Sequence, residues 1–319
     1  MIEKDLIFME HDGAVDDLLS QLLLMTMEDK EIIGINVTPA DCFIEPATES
    51  TYKILQLFGR ENIAIGRSDC YGINAFPSEW RARPEIINAL PMLINFPQPP
   101  NPYDYKEASK LLIDKLIEAD RKVSIIMTGP CTNLVKAIIK EPRLKEKIKK
   151  IVWMAGAFRT PGNVQTHQHD GTAEWNIYWD PKSSRALFEM NLPLICIPLD
   201  VTNKVPVTKK FLSNLANQSN RLSNLAGQFW ALTIDTIPNY YYTYFMWDML
   251  ATSYLAIPQE FTVEKVKAYV SERPPNAGQT VIGTHGYEIT IATDVNNNAF
   301  YDYILGQFKN TNLQLTRTV

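Results

Sequence analysis

Asp5-Leu6-Ile7-Phe8-Met9-Glu10-His11-Asp12-Gly13-Ala14-Val15-Asp16-Asp17 is the stretch whose reading decides the fold. Its short apolar run reads as a buried strand, and the apolar periodicity from Val15 to Met27 reads as a helix. Glu10, Asp12, Asp16 and Asp17 therefore crowd the point where a strand hands over to a helix. Carboxylates so close together repel one another unless something compensates. A helix N-terminus offers partial positive charge, and a bound cation neutralises the remainder. Two readings follow: a solvated turn with an Asp N-cap, or a divalent-metal site. Asp12 precedes the helix and Asp17 lies in its first turn, so both can point into one site. Asp16 points about a quarter-turn away, which suits a ligand hydroxyl or an ordinary helix surface.

Working outward, Glu31 to Val37 reads as a second buried strand, Pro46 to Phe58 as a helix and Ile63 to Gly66 as a short strand. This rhythm of near-continuously apolar strands and helices predicts an α/β fold, a mostly parallel central sheet with helices on both faces. Residues 67 to 105 break the rhythm with seven prolines and Trp80. So long an irregular insertion is expected to be functional or disordered, and its aromatic content favours function. Regularity returns with a helix from Glu107 to Ala119 and a strand from Val123 to Met127, which ends at Thr128-Gly129-Pro130. A strand from Lys150 to Met154 leads into a polar loop reaching Trp179. A helix from Pro181 to Met190, a strand from Leu194 to Pro198 and helices over 208–215 and 222–237 follow, with another after Trp247-Asp248. The tail alternates strand-like pieces with a closing helix near Asn298 to Leu305. In a doubly wound sheet, ligands sit at the carboxyl ends of the strands. Asp12, Asp16, Asp17, Asp41, Thr128 and the 159–179 loop all fall at those ends, which favours the metal site over the cap.

The 319 residues suffice for a substantial core, and the chain reads as one domain over residues 1–319. A net charge of −5 with no basic run argues against a nucleic-acid partner. No apolar run reaches the roughly 20 residues of a membrane span, and the first strand leaves no room for a signal peptide. Cys42, Cys70, Cys131 and Cys196 form no C-x-x-C pair, which fits reduced thiols in a cytoplasmic setting.

Asp170 to Pro181 brings acids, an amide and aromatics together near a strand end. Its alternating acceptors and donors suit vicinal hydroxyls such as those of a sugar, although Asp180-Pro181 also fits a plain helix start. Trp247-Asp248 reads as a ligand pair or as an N-cap beside a packed indole. His11, His167, His169 and His285 are too scattered for a zinc site. No G-x-S-x-G, P-loop or G-x-G-x-x-G is present.

Together the acidic turn, Thr38 to Asp41, Pro77-Ser78-Glu79-Trp80-Arg81, Thr128-Gly129-Pro130, Gly171 to Pro181 and Trp247-Asp248 resemble the nucleoside hydrolases, specifically their purine-selective inosine–adenosine–guanosine group. The resemblance runs from Asp5 to about Leu255. It implies the Rossmann-like nucleoside hydrolase fold, a homodimer and a single calcium ion. The calcium would be held by Asp12, Asp17, the Thr128 carbonyl and Asp248. Ribose hydroxyls would be held by Asp16, Asn163, Glu174, Asn176 and Asp248. Asp41 would lie near the nucleobase, and Trp80 and Trp247 would sandwich a purine. The chain departs from the family at Glu10, where Asp is usual, and at Ala14, where the purine group has a polar residue. Trp247 stands where pyrimidine-accepting relatives carry a histidine acid. The expected activity is hydrolysis of the N-glycosidic bond of purine ribonucleosides, with Asp12 as general base. Competing readings are a hydrolase of broad or pyrimidine specificity, a magnesium phosphohydrolase of the haloacid-dehalogenase type, and a calcium-dependent nucleoside- or sugar-binding protein without catalysis.

Overall fold

The computed structural model describes residues 3–78, 81, 84–99, 105–235 and 243–313. The first half runs β1 (Asp5–His11), α1 (Val15–Met25), β2 (Lys30–Val37), α2 (Ile44–Leu57), β3 (Ile65–Arg67), α3 (Pro84–Asn88), β4 (Lys106–Glu107), α4 (Ala108–Glu118), β5 (Val123–Met127), α5 (Thr132–Lys140), α6 (Leu144–Lys147) and β6 (Ile148–Trp153). The second half runs α7 (Trp175–Trp179), α8 (Pro181–Glu189), β7 (Leu194–Cys196), α9 (Leu199–Thr202), α10 (Lys209–Ala216), α11 (Arg221–Asp235), α12 (Trp247–Ser253), β8 (Phe261–Val270), β9 (Thr280–Ile282), β10 (Tyr287–Val295) and α13 (Asn297–Asn310).

The strands form one sheet in the order β4-β3-β2-β1-β5-β6-β7-β10-β8-β9. Pairing is parallel from β4 through to β10, and β8 alone runs antiparallel to its neighbours among the described strands. Strand alternation sorts the core onto two faces. Ile7 and Met9 of β1 pack with residues of α1, α2, α11, α12 and α13. Leu6 and Phe8 pack with those of α4, α5 and α8. The mostly parallel sheet with helices on both faces is thus the fold the apolar strands predict. Among the described residues, no helix is long and apolar enough to cross a membrane.

The chain winds outward from β1 through β2 and β3 to β4, then returns to the other side of β1 with β5. The reversal opens a crevice at the carboxyl ends of β1 and β5, the place where doubly wound sheets bind ligands. Asp12 follows β1 and Thr128 follows β5, so the topology brings both to that crevice. Gly129 permits the approach, since a Cβ there would lie 2.8 Å from the Asp12 Cβ. Gly13 turns the chain at φ +80°, where a side chain would also meet Ala47.

Of the two readings of the acidic turn the structure excludes the solvated cap, and one local expectation, a polar loop reaching Trp179, is corrected. The acidic turn is not a solvated Asp-capped start: Ala14 is the N-cap residue and Asp12, Asp16 and Asp17 are buried. The polar loop expected to reach Trp179 gives way at Trp175 to α7, whose first turn is capped by the Glu174 side chain. Five residues are too few to show a helical period.

Candidate active site

Each acid of the turn has a different set of partners. Asp17 is fully buried. Its Oδ1 accepts from the Thr128 hydroxyl at 2.5 Å and the Asp12 amide at 3.3 Å, and its Oδ2 accepts from the Ala14 amide at 2.9 Å. Asp17 therefore ties together the turn, the start of α1 and the end of β5. Asp12 Oδ2 is buried and has no hydrogen-bond partner. Burial first, then the charge of Asp17, pushes the Asp12 carboxyl well above the usual carboxylate range. Burial likewise raises Asp16 to about 7, again with Asp17 adding to it, while a hydrogen bond from the Tyr244 hydroxyl opposes the rise. Asp248 lies in the first turn of α12 and shares a hydrogen bond with Asp16. It too is raised well above its ordinary value, by burial and then by Asp16.

Carboxylate oxygens of Asp16, Asp17 and Asp248 lie within 4.8 Å of one another, close enough to share one metal ion. Hard divalent cations take oxygen ligands of this kind. A buried, partnerless Asp12 oxygen beside three clustered carboxylates is a donor set suited to a hard divalent cation, so the residues present fit one. This cluster contains Asp16, which the sequence assigns to a sugar hydroxyl, and Asp12 stands beside it as a further buried acid.

Glu10 belongs to the opposite face of β1, alongside Leu6 and Phe8. Its carboxyl accepts from Asn36 at 2.8 Å and Asn133 at 3.2 Å, and Asn133 also donates to Thr38. Burial raises Glu10 to about 7 despite those two amides. The longer acid thus finds its partners behind the site, where it fastens the segment leading to Asp41. His11 is buried as well, with Nε2 3.1 Å from the Thr51 hydroxyl. Burial lowers it to about 4, against the charge of Asp17.

Glu174, Asn176 and Asn163 add further polar groups to the same site. Glu174 accepts the amides of Asn176 at 2.8 Å, Gly156 at 3.0 Å and Ile177 at 3.3 Å, and burial still holds it at about 7. The Asn176 amide donates to the carbonyls of Thr128 at 2.9 Å and Met154 at 3.0 Å. Asn163 Oδ1 accepts from the Trp175 amide at 3.1 Å. Asp41 contributes a buried, partnerless Oδ1, and burial raises it well above its ordinary value while Arg81 pulls the other way.

A cavity of about 570 Å³ gathers these groups. Asp12, Asp16, Asp17, Asp41, Thr128, Asn163, Glu174, Asn176, Trp247 and Asp248 all line it. Every site residue named from the sequence is therefore brought together, except Trp80, which lies outside the described residues. Sequence reading missed Phe76, Trp175, Met154 and Tyr244, which also line the cavity. Phe76 stacks on Trp175 with ring centroids 4.7 Å apart. Tyr244 meets Trp247 edge-on at 4.8 Å. The available signal was adjacency: Trp175 sits between two named polar residues, and Tyr244 stands close before Trp247.

The profile of the family described as inosine-uridine preferring nucleoside hydrolase matches residues 7–302. A solved structure of an inosine-uridine preferring nucleoside hydrolase from Bacillus anthracis is 34% identical, covers 96% of this chain and 100% of its own, and superposes with a TM-score of 0.87. A purine-preferring ribonucleoside hydrolase from Gardnerella vaginalis shares the fold at 22% identity and a TM-score of 0.80, over 96% of this chain and 98% of that one. A probable uridine nucleosidase from Oryza sativa subsp. japonica is 24% identical over 285 residues, 88% of this chain and 86% of the relative. With a match across nearly the whole chain and a crevice of buried acids and amides at the sheet's switch point, this protein belongs to the nucleoside hydrolase family, enzymes that cleave N-glycosidic bonds.

Proposed function

We propose that this enzyme is a calcium-dependent purine nucleosidase, releasing free base and ribose from purine ribonucleosides. The observation that carries the reading is a single cavity lined by buried acids and amides together with aromatic rings. Asp12, Asp17, the Thr128 carbonyl and Asp248 would hold the calcium, with Asp16 close beside them. When bound, the cation supplies a Lewis acid that positions and acidifies one water molecule.

Asp12 is the general base for the attacking water, because its Oδ2 is buried, partnerless and next to the cluster. Asp16, Asn163, Glu174, Asn176 and Asp248 hold the ribose hydroxyls. Glycoside cleavage passes through an oxocarbenium-like transition state. The surrounding carboxylates stabilise its positive charge, and the clamped hydroxyls fix the ring's shape. Asp41 lies toward the base. Stacking by Trp247, with Trp80 as its counterpart by family match, favours a protonated purine, since an indole face attracts a cationic ring. Phe76 and Trp175 supply further aromatic wall. The setting we propose is cytoplasmic, and the assembly a homodimer.

One assay tests the reading. Free base is quantified from inosine and from uridine, with and without a calcium chelator. Release from inosine, lost on chelation and regained with calcium, is the expected result. The name of the rice relative makes a pyrimidine or broad specificity the competing reading. Equal or faster release from uridine would establish that reading in place of purine preference, and nucleoside binding without product would show a binding protein.

A further inference from the structure

The acids that α1 and α12 bring to the cavity do not reach their places unaided. Asp16 is followed one turn later by Ser20, and Asp248 one turn later by Thr252. The two helices pack side by side, and the hydroxyls meet one turn below the acids. Ser20 Oγ donates to the Asp248 carbonyl at 3.2 Å. The Ser20 and Thr252 hydroxyls are hydrogen-bonded to each other. A serine hydroxyl has one proton, so with that proton on the Asp248 carbonyl, Thr252 is the donor to Ser20. Both side chains are fully buried.

The setting makes the pair conspicuous. Around it α1 presents Leu18, Leu19, Leu22 and Leu23, and α12 presents Met249 and Leu250, all buried in one apolar cluster. Apolar contacts are non-directional and tolerate a small slide of one helix along the other. A directed, buried hydroxyl pair does not, because breaking it leaves unpaired polar groups. Meanwhile Asp16, Asp17 and Asp248 repel one another when charged, which tends to part the two helices at this end.

We propose that Ser20 and Thr252 are positioning residues, a clamp that holds α12 in register with α1 and so keeps Asp248 within reach of Asp16 and Asp17 for a shared cation. Neither hydroxyl touches the cavity. Their effect is on cation affinity, through the Asp248 backbone, and not on chemistry. The inference rests on the calcium reading above.

The test measures calcium binding calorimetrically to chelator-stripped protein, together with thermal midpoints with and without calcium. It uses the wild type, Ser20→Ala and the double variant Ser20→Ala with Thr252→Val. Ser20→Ala is expected to bind calcium about tenfold more weakly, the loss typical when a group supporting a metal ligand is removed. The rise in thermal midpoint that calcium produces shrinks accordingly, and excess calcium restores turnover. The double variant leaves no hydroxyl unpaired, so it recovers stability without calcium while its calcium affinity stays weak. Unchanged calcium affinity, with midpoints lowered equally in both conditions, would reduce the pair to ordinary core packing and overturn the clamp. Wild-type protein that binds no calcium at all would overturn the calcium reading itself, and the clamp with it.

Discussion

The acidic and the aromatic parts of the cavity lining, two sides by their chemistry, are built differently. On the acid side, Asp12, Asp17, Glu174 and Asp248 are each less than 5% exposed, and Asp17 and Glu174 are each held by several hydrogen bonds from strand ends and helix starts. On the aromatic side, Phe76 and Trp247 meet neighbours through ring contacts alone among the contacts described above. The first arrangement fixes atoms to within a bond, whereas the second fixes a surface. A buried acid that loses its place strands its partners, but a displaced ring gives up only area and some stacking. Substitutions on the acid side should therefore disable the enzyme, and those on the aromatic side should retune it.

The sharpest way to break this contrast is Asp12→Ala. A positioned general base contributes about 10²–10⁴-fold, so base release from inosine should fall by that range at saturating calcium. A change of only a few-fold would remove Asp12 from its role and flatten the distinction between the two sides.

The acid side also predicts a pH dependence that the rings do not. Glu174 titrates at about 7 in the folded protein, raised by burial from 4.5. Below pH 4.5 both folded and unfolded states carry the proton. As pH rises toward 7, the unfolded chain ionises while the folded one does not. Stability present below 4.5 is thus lost by pH 7, a loss of about 3 kcal/mol for this group alone. Asp16 and Glu10, also raised to about 7, act in the same direction, while buried His11, lowered to about 4, opposes them and leaves a smaller net decline. The thermal midpoint of chelator-stripped protein should accordingly decline between pH 4.5 and 7, and calcium should flatten the decline by compensating the acid cluster. A midpoint that rises over this interval would contradict the burial of these acids.

How much of this was legible in the sequence follows the same division. The strand-to-helix turn, the apolar strands and the acids at strand ends could be read because each lies within a few residues of the signal that marks it. What periodicity could not supply was the meeting of distant segments. Asp248 joins Asp16 only because α12 packs on α1, some 230 residues along the chain; family resemblance, not spacing, named it. Phe76 and Trp175 were invisible as a pair, since a stacked contact across 99 positions leaves no local pattern. Glu10 is as close in sequence as the other three acids, yet the resemblance sets its position behind the site, where it supports the others. The alternation of β1 sends it to the other face, toward Asn36 and Asn133.

Trp247→Ala probes the aromatic side where its effect should be greatest. Stacking and cation–π attraction are worth about 1–2 kcal/mol, so purine release should slow roughly tenfold. Release of nitrophenol from its riboside needs no protonated base, and its rate should change far less. Equal slowing of both substrates would mean that Trp247 shapes the acid side instead, through Asp248 beside it.

Phe76→Leu carries the smallest expected effect and sharpens the comparison most finely. The ring stacks on Trp175 at an interplanar angle of 28°, and Trp175 is covalently next to Glu174 and Asn176, so one residue couples the two sides. Leu keeps most of the apolar volume and removes only the stack, worth about 0.5–1.5 kcal/mol. If the stack only lines the base, KM for inosine should rise a few-fold with kcat and calcium affinity intact. If it also steadies Trp175, whose amide binds Asn163, kcat should fall as well, because ribose contacts made in the transition state would loosen. The split between KM and kcat thus measures how far the aromatic wall is independent of the acids. Our reading predicts the KM effect alone, since Glu174 and Asn176 are anchored by their own hydrogen bonds to Gly156, Thr128 and Met154.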